Sequence, residues 1–130
     1  MARAMSLLPG SHTFRLAFYI VAAGSAVSAL LPSPAFEPGF AYADKLQHFA
    51  VFALLAGLAL FGFPQASKRL IVERLSFFGA GIEVLQSIPA LHRDCDVFDW
   101  ATDTLGAAVA VLLLTRLVPA LRGRLDRGAG

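Results

Sequence analysis

The chain has 130 residues, of which 57% are hydrophobic and only 15% are charged, and its mean hydropathy is +0.66. Soluble domains use about 25% charged residues, so this composition excludes a soluble enzyme or a soluble DNA-binding protein and favours a membrane protein. The formal net charge is +2. A single cysteine, Cys95, excludes both an intramolecular disulfide and a metal cluster held by several thiolates.

Four apolar stretches follow one another along the chain, and each ends near a proline. A helix rising about 1.5 Å per residue needs roughly 20 apolar residues to cross a 30 Å hydrocarbon core. Isolated strands are excluded, because lipid leaves their backbone groups without hydrogen bonds. We therefore predict an all-α bundle of four transmembrane helices in one domain over residues 1–130, with spans at 14–31, 46–63, 70–88 and 101–118.

The first stretch has an alternative interpretation as the core of a secretory signal peptide, with small residues at 33–35 as the cleavage site. Its apolar run is longer than the 7–15 residues typical of such cores, and Pro34 is poorly placed for cleavage. We expect it to be retained as the first span.

The basic residues predict the orientation of the bundle. Only Lys45 and Arg93 fall on one side of a four-span arrangement, which the positive-inside rule assigns to the outside. Both termini are then cytoplasmic in a bacterial inner membrane, and the basic C-terminal tail contacts anionic lipid rather than nucleic acid. Nine bases fall on the cytoplasmic side: Arg3, Arg15, Lys68, Arg69, Arg74, Arg116, Arg122, Arg124 and Arg127.

The second stretch begins with an acid and an imidazole, Asp44 and His48. They are four residues apart and therefore share one helical face near the outer end. Asp44 is explained equally well as a helix cap whose charge suits the helix dipole. In that case His48 is an ordinary interfacial histidine.

The later stretches carry acids that a cap does not explain. Glu83 lies about 8 Å below the outer end of the third span, where an acid is costly unless it is paired, protonated or facing water. Gln86 shares its face, so the pair either joins helices by hydrogen bonds or belongs to a site. Asp96, Asp99 and Asp103 follow at i, i+3 and i+7 on one helical face. Asp99 is a candidate cap, whereas Asp103 lies one turn deeper.

These side chains are all expected at the outer mouth of the bundle. Carboxylates with an imidazole bind cations, relay protons or hold a polar head group, and they also form purely structural networks. We expect no metal and no cofactor, since only one histidine is well placed. The candidate binding residues are Asp44, His48, Glu83, Gln86, Arg93, Asp99 and Asp103, where Arg93 is able to neutralise acids in a bidentate pair.

At these residues the sequence resembles the VanZ-like family of small bacterial membrane proteins. The matching motifs are DKLQHF at 44–49, EVLQ at 83–86, Arg93, and DWATDTLG at 99–106. The family pattern has asparagine where this chain has Asp103, so the role of that position is open. The resemblance implies a multi-span membrane protein, and the family's namesake is linked to low-level resistance to the glycopeptide teicoplanin.

Three functions remain open from the sequence. The first is a non-enzymatic envelope protein whose outer cluster binds a lipid head group, a cell-wall precursor or a partner membrane protein. The second is a small intramembrane enzyme acting on a lipid-linked substrate. In it His48 is the general base oriented by Asp44, Glu83 is the acid, and Arg93 holds a phosphate or carboxylate. The third is an accessory subunit of a larger membrane complex.

Overall fold

A computed structural model describes residues 10–31 and 41–128, with the side chains of the second range described from 42 to 119. These residues form helices and no strand, which confirms the predicted all-helical class. A short 3₁₀ turn, Pro89–Leu91, separates the last two helices. The α-helices are α1 (Ser11–Leu30), α2 (Ala41–Gly62), α3 (Lys68–Gln86) and α4 (Val97–Gly128).

Contacts at the helix ends give the topology. The Phe14 and Phe61 ring centroids are 5.2 Å apart, and Arg15 Nε donates to the Gly62 carbonyl at 2.6 Å. The start of α1 therefore lies beside the end of α2. The side chain of Lys45, near the start of α2, reaches Asp99 in the first turn of α4, so these two helices run parallel. α3 runs antiparallel to both, because Ser76 bonds to Thr104 whereas Glu83, later in α3, bonds to Asp96 before α4.

The core lies between α2, α3 and α4. Small residues let α2 and α4 approach closely, as side chains such as alanine and glycine do at helix interfaces in membranes. At Gly106 an added Cβ would lie 2.5 Å from the Phe49 carbonyl oxygen. None of the residues of α1 is buried, so this helix packs at the edge. The buried apolar residues are Phe52, Leu55, Ala56, Ala59, Ile71, Leu75, Ile82, Ala107, Ala110 and Val111.

Within the described residues, three helices are long and apolar enough to cross a membrane: Ser11–Leu30, Tyr42–Gly62 and Val97–Pro119. Large apolar side chains also cover the outer surface of the bundle; Leu16, Ile20 and Phe77, for example, are exposed. Soluble proteins rarely expose so many large apolar side chains. The chain is therefore a membrane protein with transmembrane helices.

α3 is long enough to cross a membrane, but it carries too many charged residues to be counted with these three apolar helices. It has 19 residues, but four of its first seven are charged: Lys68, Arg69, Glu73 and Arg74. Its bounds also differ slightly from the prediction, because the helix ends at Gln86 and residues 87–88 lead into the 3₁₀ turn.

The last helix is longer than predicted. Pro119 was expected to end it near Val118, but α4 continues to Gly128. Proline lacks the N–H that would bond to the Thr115 carbonyl, which costs helix stability without forcing the helix to end. The hydroxyl of Thr115 donates to the Val111 carbonyl at 2.7 Å in the preceding turn. The predicted closure of the first span by prolines 32 and 34, and the candidate cleavage site, lie outside the described residues.

Candidate functional site

Polar side chains converge where the start of α2, the end of α3 and the start of α4 meet. Most of these residues are at least partly buried, and Asp103 is one of the two largest side chains that are fully buried. Five were predicted as site residues from the sequence, and Lys45 and Asp96 join them. We call this group the acidic cluster; it comprises Asp44, Lys45, His48, Glu83, Asp96, Asp99 and Asp103.

Lys45 ties α2 to the entrance of α4. Its Nζ lies 2.7 Å from Asp96 Oδ2 and 2.7 Å from Asp99 Oδ1. The other oxygen of Asp96 accepts a hydrogen bond from the Phe98 N–H at 2.8 Å. Asp96, rather than the expected Asp99, therefore caps this helix. The Lys45 ammonium lowers the pKa of the Asp96 carboxyl below its ordinary value, because it bonds to the charged form.

His48 links the surface to the core. Its Nδ1 lies 2.8 Å from Asp103 Oδ1, and its Nε2 lies 3.9 Å from Asp44 Oδ1. The Asp44 side chain is 62% exposed, whereas Asp103 is completely buried. Asp44 and His48 share one helical face, in agreement with their spacing. The stronger partner that orients the imidazole is Asp103, however, and not Asp44.

Glu83 closes the cluster from α3. Its Oε2 accepts a hydrogen bond from the Asp96 N–H at 2.9 Å and so fixes the loop before α4. Its Oε1 and Asp103 Oδ2 are buried without a hydrogen-bond partner among the described residues. Buried polar atoms in proteins nearly always have a partner. The two oxygens therefore have hydrogen-bonding capacity that a proton or a ligand would satisfy.

Gly79 makes room for the deepest carboxylate. A Cβ added at Gly79 would lie 2.8 Å from Asp103 Oδ2 and 3.2 Å from Asp103 Cβ. Any larger residue on α3 would therefore displace the Asp103 side chain. The close approach of α3 to α4 at Gly79 is part of the site.

The remaining two predicted site residues, Gln86 and Arg93, hold α1 instead. Gln86 Nε2 donates to the Ala29 carbonyl at 2.9 Å. Arg93 Nε donates to the Leu31 carbonyl at 2.8 Å, and its Nη2 donates to the Ser28 carbonyl at 3.2 Å. Carbonyls at a helix C-terminus lack partners within the helix. The expected pairing of Arg93 with the acids is not observed, and Lys45 neutralises them in its place.

The charge of the cluster decides which ligands suit it. It contains five carboxylates against one lysine and one histidine, so its field attracts cations. The acids and bases also lie at opposite ends of the bundle, since the basic residues at the start of α3 line a groove with Thr115 and Arg116 of α4. An ammonium group, a metal ion or a proton in transit all suit the acidic end.

The chain has no match among protein-family models, curated proteins or solved structures. The acidic cluster is therefore the feature of the molecule that bears most directly on its function.

Proposed function

We propose that the chain is a four-span, VanZ-like protein of the bacterial cytoplasmic membrane with both termini inside. The 19 residues of α3 extend about 28 Å at helical rise, close to the thickness of the hydrocarbon core. Its charged residues lie mainly in the first two turns, at the level where head groups and water begin. The basic end of the bundle then faces the cytoplasm, and the acidic cluster faces outward.

Cysteine labelling tests this orientation. Cys95 is the exposed, single thiol beside the acidic cluster. A membrane-impermeant maleimide is expected to label it in intact spheroplasts. A Cys95→Ser, Gln65→Cys variant carries its thiol at the other end and is expected to react only after the membrane is permeabilised. Labelling of the Gln65→Cys thiol in intact spheroplasts would contradict the proposed topology.

The acidic cluster, in our proposal, binds a positively charged group on the polar head of an envelope lipid or a lipid-linked cell-wall precursor. The observation that carries this function is the excess of carboxylates over cations in a partly buried site at one end of an apolar bundle. Ionisable groups in membrane-embedded segments are expensive and generally functional. Asp44 and Asp96 are the parts of the cluster that an approaching head group meets first.

Lipid retention in nanodiscs tests this binding. The full chain is reconstituted in equal parts of phosphatidylethanolamine, phosphatidylcholine and phosphatidylglycerol, and the lipids that remain after mild extraction are counted by native mass spectrometry. We expect several-fold enrichment of phosphatidylethanolamine, because its ammonium donates hydrogen bonds that a quaternary amine lacks. Asp44→Asn is expected to reduce this enrichment, whereas the control Glu73→Gln at the basic end retains it. Equal retention of the three lipids would refute head-group binding through an amine.

An intramembrane enzyme is the second candidate, and the contact between His48 and Asp103 favours it. A buried carboxylate that holds one imidazole nitrogen leaves the other free to take a proton, which is the arrangement of a general base. If expression in a glycopeptide-susceptible host raises teicoplanin tolerance, His48→Gln is expected to abolish that rise at unchanged protein level. Full tolerance in this variant would exclude the enzyme. Co-purification of a specific partner would instead support the accessory-subunit role.

A further inference from the structure

Three side chains of the acidic cluster, one from each of α2, α3 and α4, have the donors of a metal site. One nitrogen of His48, one carboxylate oxygen of Glu83 and one of Asp103 all lie within 4.8 Å of one another. Two of the three side chains are almost inaccessible, since Glu83 is 4% exposed and Asp103 is 0% exposed. We propose that these three residues bind one divalent first-row transition-metal ion, in contrast to the expectation from the sequence.

The two oxygens without partners are the independent observation behind this site. Glu83 Oε1 and Asp103 Oδ2 have no hydrogen-bond donor among the described residues, and they belong to the two carboxylates of the same triad. A structural network would satisfy both oxygens, because a buried acceptor without a donor is destabilising. A cation bound by these two carboxylates would offset the negative charge that burial otherwise disfavours.

The distances fit an ion after small side-chain movements. Metal–nitrogen and metal–oxygen bonds are about 2.0–2.2 Å long, so two ligands of one ion lie roughly 3–4 Å apart. His48 Nδ1 and Asp103 Oδ1 are already 2.8 Å apart. When Nδ1 binds the ion, the imidazole proton resides on Nε2, which faces Asp44 at 3.9 Å. A carboxylate behind a metal-bound histidine is the usual outer partner that fixes the ring.

The donor set selects the class of metal. An imidazole with two carboxylates suits Zn²⁺, Mn²⁺ or Fe²⁺, whereas Mg²⁺ and Ca²⁺ prefer sites made of oxygen alone. Three protein ligands leave coordination positions for water or a further group. A second triad, of Asp44, His48 and Asp99, also has its donors within 4.8 Å. It is the weaker choice, because Asp99 Oδ1 is already bonded to Lys45 and Asp44 is exposed.

Metal binding by the purified full chain tests the site. Untagged protein in detergent is stripped with chelator, and Zn²⁺ or Mn²⁺ is then titrated in a background of millimolar Mg²⁺. The wild type is expected to bind about one equivalent of either ion. Glu83→Gln and Asp103→Asn keep the side-chain size and are expected to weaken binding by well over tenfold, since loss of even an outer partner costs 10–100-fold. The control Glu73→Gln binds like the wild type, and equal affinity in all four proteins would overturn the proposal.

A spectroscopic measurement keeps the test independent of the stability of those variants. The exposed histidines His12 and His92 are replaced in a His12→Gln, His92→Asn protein; asparagine suits position 92, where φ is 49°. His48 is then the only histidine left. Pulsed electron paramagnetic resonance of the Mn²⁺-loaded protein is expected to show coupling to one imidazole nitrogen. Bound Mn²⁺ without that coupling, or no bound Mn²⁺, would refute the site whether or not amine lipids are retained.

Discussion

The close contact between α2 and α4 is most sharply tested at Gly106. A Cβ at this position would lie 2.5 Å from the Phe49 carbonyl oxygen and 3.1 Å from Phe49 Cα. Ordinary contacts of a Cβ begin near 3.4 Å, so Gly106→Ala must separate the two helices locally by about 0.9 Å. The clashing atoms belong to the backbone of α2, so no change of side-chain rotamer relieves the clash.

Two opposing effects set the size of the change. Alanine favours a helix over glycine by about 0.8–1.0 kcal/mol, whereas overpacking of a close contact costs typically 1–3 kcal/mol. Because the clash is with backbone, the upper part of that range applies, and we expect a net loss of about 1–2 kcal/mol. Gly81 provides the matched control, since nothing lies within 4 Å of its added Cβ. Gly81→Ala should gain roughly 0.5–1 kcal/mol from helix propensity alone.

Thermal unfolding in detergent, followed by circular dichroism, measures both variants under identical conditions. A change of 1 kcal/mol shifts the Tm of a domain of this size by roughly 3–6 °C. Gly106→Ala is therefore expected to melt several degrees below the wild type, and Gly81→Ala slightly above it. A Gly106→Ala protein as stable as Gly81→Ala would show that α2 and α4 are not in contact at this position. It would also refute the described packing of these helices around the site.

Three further substitutions test separate contacts, each by the same melting assay unless stated. Lys45→Met leaves the buried Asp99 carboxylate without its ion pair. It should lower Tm more than Arg69→Met, which breaks only the exposed ion pair with Glu73. An equal or smaller decrease in Tm would contradict the Lys45 contact. Ser67→Ala removes the side-chain oxygen that accepts from the Leu70 N–H and should cost about 1 kcal/mol, and an unchanged Tm would argue against this cap. Gln86→Leu removes the hydrogen bond to the Ala29 carbonyl. Amide hydrogen exchange should then become faster at the C-terminal end of α1 and stay unchanged in α2. Faster exchange in both helices would mean that Gln86 stabilises the whole bundle.

The composition and the spacing of the apolar residues were sufficient to predict an all-helical membrane protein. An apolar run of about 18 residues has few alternatives to a helix in lipid, because every backbone group must find its partner within the segment. The segregation of acids from bases was also readable from the sequence and agrees with the two ends of the bundle. The ends of the helices were harder to predict from the sequence, as Pro119 shows. Proline weakens a helix locally, but the neighbouring backbone hydrogen bonds decide whether the helix ends there.

The sequence by itself placed Asp44 and His48 on one face of α2, since helical spacing is a local property of the chain. Only the tertiary structure decided which partner each polar side chain takes, because those partners lie on other helices. It assigned Lys45 to the acids and Arg93 to the end of α1. It also brought Glu83 and Asp103 beside His48, and the lack of a side chain at Gly79 leaves room for Asp103. The bonding partner of a buried charged side chain depends on helix packing, because the available atoms belong to the adjacent helices.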